Sequence, residues 1–190
     1  LVVKAEKVDG INTVVSLPGS VILALKENKV NLEVVSDGIE YSIPFNAIST
    51  VNIDKKAKVE FKSEEVKEDV ASELAKDIGE VNNTIELYIE ITKGDKVIKV
   101  TNFNTPIEVR INVKGKGNYE KLAVYYLNEA DNSLEFVSGH IVNDNIILKL
   151  NHLSKYVIVE STKTFTDIAD HWAKDYVESM VAKNIINGYE

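Results

Sequence analysis

The chain has 190 residues, 44% hydrophobic and 27% charged, which is the composition of a soluble globular protein with one large domain or two small ones. Its net charge of −8 argues against a nucleic-acid partner and against an anionic membrane surface. No apolar run approaches the ~18 residues of a membrane span, and the absence of cysteine excludes disulfides and thiolate chemistry. Because the chain has neither an initiator Met nor a leader, we expect it to be a piece of a longer protein.

Apolar and polar residues alternate over much of the first 160 residues. Ile85, Leu87 and Ile89, for example, are separated by Glu86 and Tyr88. A period of two indicates strands with one face on a core and the other in water. Turn-forming residues separate these runs and predict tight turns at Asp37-Gly38, Lys93-Gly94-Asp95, Gly115-Lys116-Gly117-Asn118, Asp131-Asn132-Ser133 and Asn143-Asp144-Asn145. The pattern predicts an antiparallel sandwich or a partly closed barrel.

Two segments break the alternation and predict helices. A short helix is expected over 19–28, after Pro18. A second is expected over about 64–78, capped by Ser63 and stopped by Gly79. Its predicted buried stripe consists of Val66, Val70, Leu74 and Ile78, and its acidic residues form either a solvated face or a docking face for a partner. The predicted fold class is therefore α+β, mainly antiparallel β and sandwich-like, with one or two helices.

The C-terminal residues have a different pattern. From Phe165 onwards, apolar residues recur at helical spacing, with Asp170 as the predicted cap and a predicted apolar side formed by Ala173, Tyr176, Val177, Met180 and Val181. The polar joint at 161–164 predicts a β-rich module at 1–160 and a helical segment at 165–190. A segment this short is marginal alone, so it must dock on the β-rich module, on another chain or on further residues.

The C-terminal sequence resembles the opening half of an S-layer homology domain. The resemblance rests on Phe165-Thr166-Asp167-Ile168, on Ala169-Asp170-His171-Trp172-Ala173 and on Ile185-Ile186-Asn187-Gly188. Asn184 stands where that family usually has Gly, and Asn is the next best residue for a left-handed helix end. The upstream motifs 42–44, 101–106 and 152–156 resemble the β-rich module that precedes such repeats in surface proteins of Gram-positive bacteria.

The resemblance implies an extracellular protein of the cell surface or S-layer. S-layer homology repeats hold secondary cell-wall polysaccharide non-covalently, and other S-layer or surface proteins are a further class of partner. By resemblance, the ligand-binding residues are Asp167, His171, Trp172 and Gly188. The alternative is that Trp172 and Phe165 are core residues of the helical unit that S-layer homology repeats form, and that Asp167 caps a turn. The family's Arg-containing half-repeat would follow Glu190, so we expect weak wall binding by these residues alone.

The residues give no catalytic motif. His140, His152 and His171 are not three or four residues apart, which excludes a helical metal motif. Neither a nucleophile elbow nor a phosphate-binding loop is present. We therefore predict a non-catalytic tether without a metal or cofactor. The alternatives are a carbohydrate- or protein-binding β module, or the non-catalytic part of a larger surface hydrolase.

Overall fold

The computed structural model describes residues 1–5, 14–47, 53–67 and 69–188. The strands in these ranges are β1 (Val2–Lys4), β2 (Val15–Pro18), β3 (Leu32–Ser36), β4 (Ile39–Ile43), β5 (Lys58–Glu65), β6 (Gly79–Lys93), β7 (Lys96–Val100), β8 (Asn102–Asn112), β9 (Leu122–Asn128), β10 (Ser133–Ser138), β11 (Ile141–Val142), β12 (Asn145–His152) and β13 (Lys155–Ser161). The helices are α1 (Gly19–Glu27), α2 (Asp69–Ala75) and α3 (Lys174–Ala182).

The strands form two sheets. One has the order β1-β3-β4-β8-β12-β11, and the other has the order β10-β9-β13-β6-β5-β2, with β7 paired to β6. The pairs β3–β4, β4–β8, β9–β10, β9–β13, β2–β5, β6–β7 and β11–β12 are antiparallel, whereas β1 and β3 are parallel. The predicted α+β class with mainly antiparallel strands is confirmed, and α1 confirms the helix expected after Pro18.

The chain divides into two compact units. The first contains Leu1–Glu64, Glu86–Asn112 and Leu148–Ser154, and the second contains Glu65–Ile85, Val113–Ile147 and Lys155–Glu190. Strands β6 and β12 contribute residues to both units. The domain boundary expected at 161–164 lies within the second unit and stays a prediction.

Tyr41 is one of the largest fully buried side chains of the first unit. In the β3–β4 hairpin Tyr41 is paired with Val34, and its ring centroid lies 6.3 Å from that of Phe61. The Tyr41 hydroxyl donates to the Lys62 carbonyl at 3.0 Å, so this fully buried polar atom has a partner. Burial raises the pKa of Tyr41 far above its usual value, and the phenol stays neutral.

Most predicted turns join the strands that they were expected to join. Asp37 and Gly38, with φ of 51° and 77°, form the β3–β4 turn, and 94–95, 129–132 and 143–144 join β6 to β7, β9 to β10 and β11 to β12. These positive φ values are those that a right-twisted two-residue hairpin requires. The segment at Gly115–Asn118 connects β8 and β9, which belong to different sheets, so this turn does not close a hairpin.

Helix α2 is shorter than predicted and turns a different face inward. Glu64 and Glu65 belong to β5, because the Val66 N–H still bonds the Thr84 carbonyl at 2.9 Å and extends strand pairing past the predicted start. The buried helix residues are Ala71 and Ala75, packed against Ala123, Tyr125, Leu127, Val157 and Val159 of β9 and β13. Val70 is 46% exposed, and Leu74 and Ile78 are half-buried at the edge of this cluster. Two alanines on one face let the helix backbone approach the strands closely.

Helix α3 is held in the second unit by a buried ion pair. Glu178 is 3% exposed, and its carboxylate receives the Lys121 ammonium at 2.7 Å and the Thr164 hydroxyl. These two donors, Lys121 first, lower the pKa of Glu178 below its usual value. Val181 and Ala182, which follow on the same face, are also buried. The predicted apolar side of α3 was thus partly wrong, because this inward face excludes Tyr176 and Met180, and both are exposed.

The end of α3 matches the expectation for Asn184. Its φ is 55°, and its N–H bonds the Val181 carbonyl at 2.9 Å. The Ile185 N–H reaches back to the Met180 carbonyl, also at 2.9 Å. These two bonds form a Schellman motif, in which a left-handed residue ends the helix and satisfies its last carbonyls.

Enlarging Ala75 tests the corrected face of α2. Ala75→Leu should lower the free energy of unfolding by about 1–3 kcal/mol, because it adds volume where the helix contacts β9 and β13. Val70→Ala, at an exposed position of the same helix, should change it by less than about 0.5 kcal/mol. Urea unfolding measures the free energy of unfolding of both variants. A larger loss for Val70→Ala than for Ala75→Leu would mean that the predicted face, with Val70 and Leu74, is the buried one.

The Glu178 pair predicts a pH-dependent stability. Because the folded-state pKa of Glu178 lies below the ordinary 4.5, its contribution is present above pH 4.5 and is lost as pH falls through the folded value. Glu178→Gln should destabilise the chain by about 1–3 kcal/mol at pH 7, since Lys121 loses its charged partner. The difference in free energy of unfolding between Glu178→Gln and the unaltered chain should shrink as the pH falls below 4.5.

Urea titrations at several pH values measure this difference, with Glu80→Gln as the control because Glu80 is exposed. A Glu178→Gln penalty that stays constant down to pH 3 would mean that the pKa of Glu178 is the same in the folded and the unfolded chain, and would contradict the charge-stabilised pair.

Candidate functional site

The segment that precedes α3 is a series of tight turns. Thr166–Ile168 forms one turn of 3-10 helix, and the His171 N–H bonds the Ile168 carbonyl at 2.9 Å. The predicted cap at Asp170 was wrong, because α3 begins only at Lys174. Instead, Nδ1 of the His171 imidazole accepts the Ala173 N–H at 3.2 Å. This bond fixes the imidazole beside the start of the helix.

Three neighbouring aromatic side chains form an exposed surface, here called the aromatic row: His171, Trp172 and Tyr176. The ring centroids of His171 and Trp172 are 5.4 Å apart and their planes are tilted by 34°. The Trp172 and Tyr176 centroids are 6.5 Å apart in an edge-to-face arrangement. Trp172 is 82% exposed and Tyr176 is 68% exposed. Over the described residues Trp172 is therefore not part of a core, and the alternative that it packs in the core of a complete S-layer homology unit stays a prediction.

Two of the four predicted site residues lie in the row and two do not. His171 and Trp172 are adjacent members of it. Asp167 is exposed in the 3-10 turn. Gly188 packs against Phe165, where a Cβ would lie 2.2 Å from the ring Cε1 atom. This contact explains by packing why residue 188 is a glycine, and the ligand-binding roles of Asp167 and Gly188 stay predictions.

Tyr176 is the member of the row that sequence reasoning missed. It was assigned to the buried side of α3, yet the inward face is set by Glu178, Val181 and Ala182. The available signal was its spacing of four residues from Trp172, which places two side chains on one surface at a helix start.

The row offers ring faces for stacking, but few cations accompany it. Of the two lysines at 165–188, Lys183 donates to the carbonyls of Tyr119 and Leu122, both at 2.8 Å. Burial lowers the pKa of Lys183, and its ammonium already has two backbone acceptors. Lys174, the other, is half-buried at the first position of α3.

The described residues contain neither a cluster of metal ligands nor a helix that could span a membrane. Over these ranges, His, Asp and Glu nowhere form a group of three or more that could hold a metal ion. Each helix in the described part of the chain falls short of the length and hydrophobicity that a bilayer-spanning helix requires.

Comparison with known proteins finds two similarities. Residues 164–190 match the family described as S-layer homology domain. The chain is also similar to an amylopullulanase of Thermoanaerobacterium thermosulfurigenes, with 32% identity over 110 residues. That alignment covers 57% of this chain and 6% of the relative, so the chain spans only a small part of that protein.

The alignment with the amylopullulanase extends beyond the S-layer homology segment. It is much longer than the matched segment 164–190, so most of the aligned stretch must lie in the β-rich part of the chain. An S-layer homology domain is an anchoring domain and indicates association with the cell surface. The C-terminal residues 164–190 thus belong to the S-layer homology family.

Proposed function

We propose that the chain is a non-catalytic part of an extracellular surface protein, attached to secondary cell-wall polysaccharide through its S-layer homology segment. The β-rich strands act as the spacer that this segment tethers. The observation that carries the proposal is the exposure of Trp172 and Tyr176 within the matched segment 164–190. Neighbouring exposed rings offer a contiguous apolar surface to a partner, and burial of such a surface is the main source of binding free energy.

The aromatic row suits the ring face of a sugar. Covering about 60 Å² of apolar ring surface contributes roughly 1.5 kcal/mol at 25 cal/mol per Å². The indole N–H of Trp172 and the hydroxyl of Tyr176 supply polar atoms at the ring edges for sugar hydroxyls. Such a contact is individually weak and becomes firm only when it is repeated along a polymer.

The charges near the row limit its affinity for an acidic polymer. The secondary cell-wall polysaccharide that S-layer homology repeats hold is often pyruvylated, and each pyruvyl group carries a carboxylate, which is costly to desolvate without a cationic partner. The single arginine of the chain, Arg110, lies in β8 and pairs with Glu108 at 2.8 Å. Lys183 is occupied by backbone carbonyls. We therefore expect these 190 residues to bind wall polymer weakly, with an arginine from further repeat sequence supplying the missing cation.

Co-sedimentation with purified cell-wall sacculi tests the attachment. The 190-residue chain should remain mostly in the supernatant, and a chain extended through complete S-layer homology repeats should sediment. In the extended chain Trp172→Ala should weaken binding about tenfold through lost ring contact. Val97→Ala, which trims an exposed apolar residue of β7, is the matched control and should have no effect. Tight sedimentation of the 190-residue chain that survives Trp172→Ala would place the wall-binding surface among the β-strands instead.

The similarity to an amylopullulanase favours a more specific role for the β-rich strands. Because the alignment with the amylopullulanase extends into the β-rich part, we propose that these strands form a non-catalytic module of a larger surface hydrolase. The module would then hold a catalytic domain at a distance from the wall. Such a role needs stable strands and a tethered end, and no reacting side chain.

An activity assay checks the non-catalytic assignment. The 190-residue chain should release no reducing ends from pullulan or amylose above the level of a heat-denatured sample. Release that survives repeated purification and is lost on substitution of a carboxylate, such as Glu120→Gln, would contradict the assignment.

A further inference from the structure

A cleft of about 640 Å³ lies in the second unit, apart from the aromatic row. It is lined by the turn before β9, the β10–β11 connection, the β11–β12 turn and the end of α3. Its lining includes the side chains of Glu120, Phe136, His140, Asn143, Asp144 and Lys183. The volume falls within the range of small-molecule sites, and no member of the aromatic row lines the cleft.

One wall of the cleft is fixed by close packing between Gly139 and Lys183. A Cβ on Gly139 would lie 2.4 Å from Cδ of Lys183 and 3.3 Å from the Leu122 carbonyl oxygen. The absence of a side chain at 139 thus lets the Lys183 stem cross this loop. Its ammonium is then held by the Tyr119 and Leu122 carbonyls.

A second wall is fixed by the turn between β11 and β12. Asn143 and Asp144 have φ of 49° and 62°, the left-handed pair of a two-residue hairpin turn. The Asp144 carbonyl accepts the Val113 N–H at 2.8 Å, and the Asn143 carbonyl accepts the Asn145 side-chain amide at 2.7 Å. The backbone that carries both side chains is therefore bonded before any ligand arrives, which lowers the ordering cost of binding.

The charges of the lining select the class of ligand. Glu120 and Asp144 contribute two negative charges and Lys183 contributes one positive charge, which the Glu120 carboxylate already faces. The carboxylates outnumber the ammonium, so an anionic ligand would meet a net negative charge in the cleft. Sugar hydroxyls, by contrast, can donate to carboxylates and accept from an amide N–H such as that of Asn143. The Phe136 ring offers an apolar surface within the same cleft.

We propose that this cleft binds a neutral saccharide of one or two sugar rings, independently of the wall attachment proposed above. Glu120, Asn143 and Asp144 pair with hydroxyls, His140 closes the polar side and Phe136 contacts a ring face. The site would give the β-rich part of the chain a glycan specificity distinct from that of an acidic wall polymer.

Amide NMR titration of the 190-residue chain with maltose and with cellobiose tests the proposal, with glucuronate as the anionic probe. At least one neutral disaccharide should shift the amides of 119–120, 138–144 and 183–185 in a saturable way. His140→Ala and Asn143→Gly should each weaken that binding about fivefold or more. Glycine is chosen at 143 because it keeps the positive φ and removes only the amide side chain.

Asn132→Gly is the matched control. Asn132 also has a positive φ, 53°, and lies in the β9–β10 turn, outside the cleft. Its replacement should leave the affinity unchanged. Three results overturn the proposal: no saturable shift with either disaccharide, shifts confined to residues 171–176, or tighter binding of glucuronate than of both neutral sugars. None of these results bears on sedimentation with sacculi, so the two proposals fail separately.

Discussion

The arrangement of the C-terminal segment depends on one buried ion pair, between Glu178 of α3 and Lys121 at the start of β9. A carboxylate that is 3% exposed tolerates burial only with a charged partner and further hydrogen bonds, and Lys121 and Thr164 supply them. Rotating α3 by half a turn would leave Lys121 without its partner and expose Val181 and Ala182. The pair therefore fixes which side of the helix faces the strands.

The other functional features follow from that choice of face. Lys183 follows the last residue of α3, and its ammonium reaches the Tyr119 and Leu122 carbonyls while its stem lines the cleft. Trp172 and Tyr176 lie outside the contact and remain open to solvent. Buried ion pairs add little net stability compared with apolar packing, but they penalise wrong arrangements strongly. Helix α3 has nine residues and is marginal alone, so the cost of leaving a buried charge unpaired orients it more strongly than the net stability of the ion pair does.

The sequence predicted the strands and turns better than the helix faces. Strand alternation and turn residues such as Asp37-Gly38 are local signals, and the structure confirms them. The face of α2 was wrong because a stripe containing Val70 and Leu74 is more hydrophobic than Ala71 and Ala75, yet close approach to β9 and β13 favours the smaller residues. The pairing of Glu178 with Lys121, 57 residues apart, is a tertiary constraint that local periodicity does not contain. Tyr176 was misassigned for the same reason, since the inward face of α3 is set by that pair.

Trp172 is the only tryptophan in the chain, so its fluorescence reports directly on the orientation of α3 and on the candidate wall-contact surface. The decisive measurement is acrylamide quenching of the native 190-residue chain, compared with the same chain unfolded in guanidinium chloride. With Trp172 82% exposed, the native emission should resemble that of tryptophan in water, and the quenching constant should be close to that of the unfolded chain. A blue-shifted native emission that acrylamide quenches only weakly would place the indole in a core and would contradict the account.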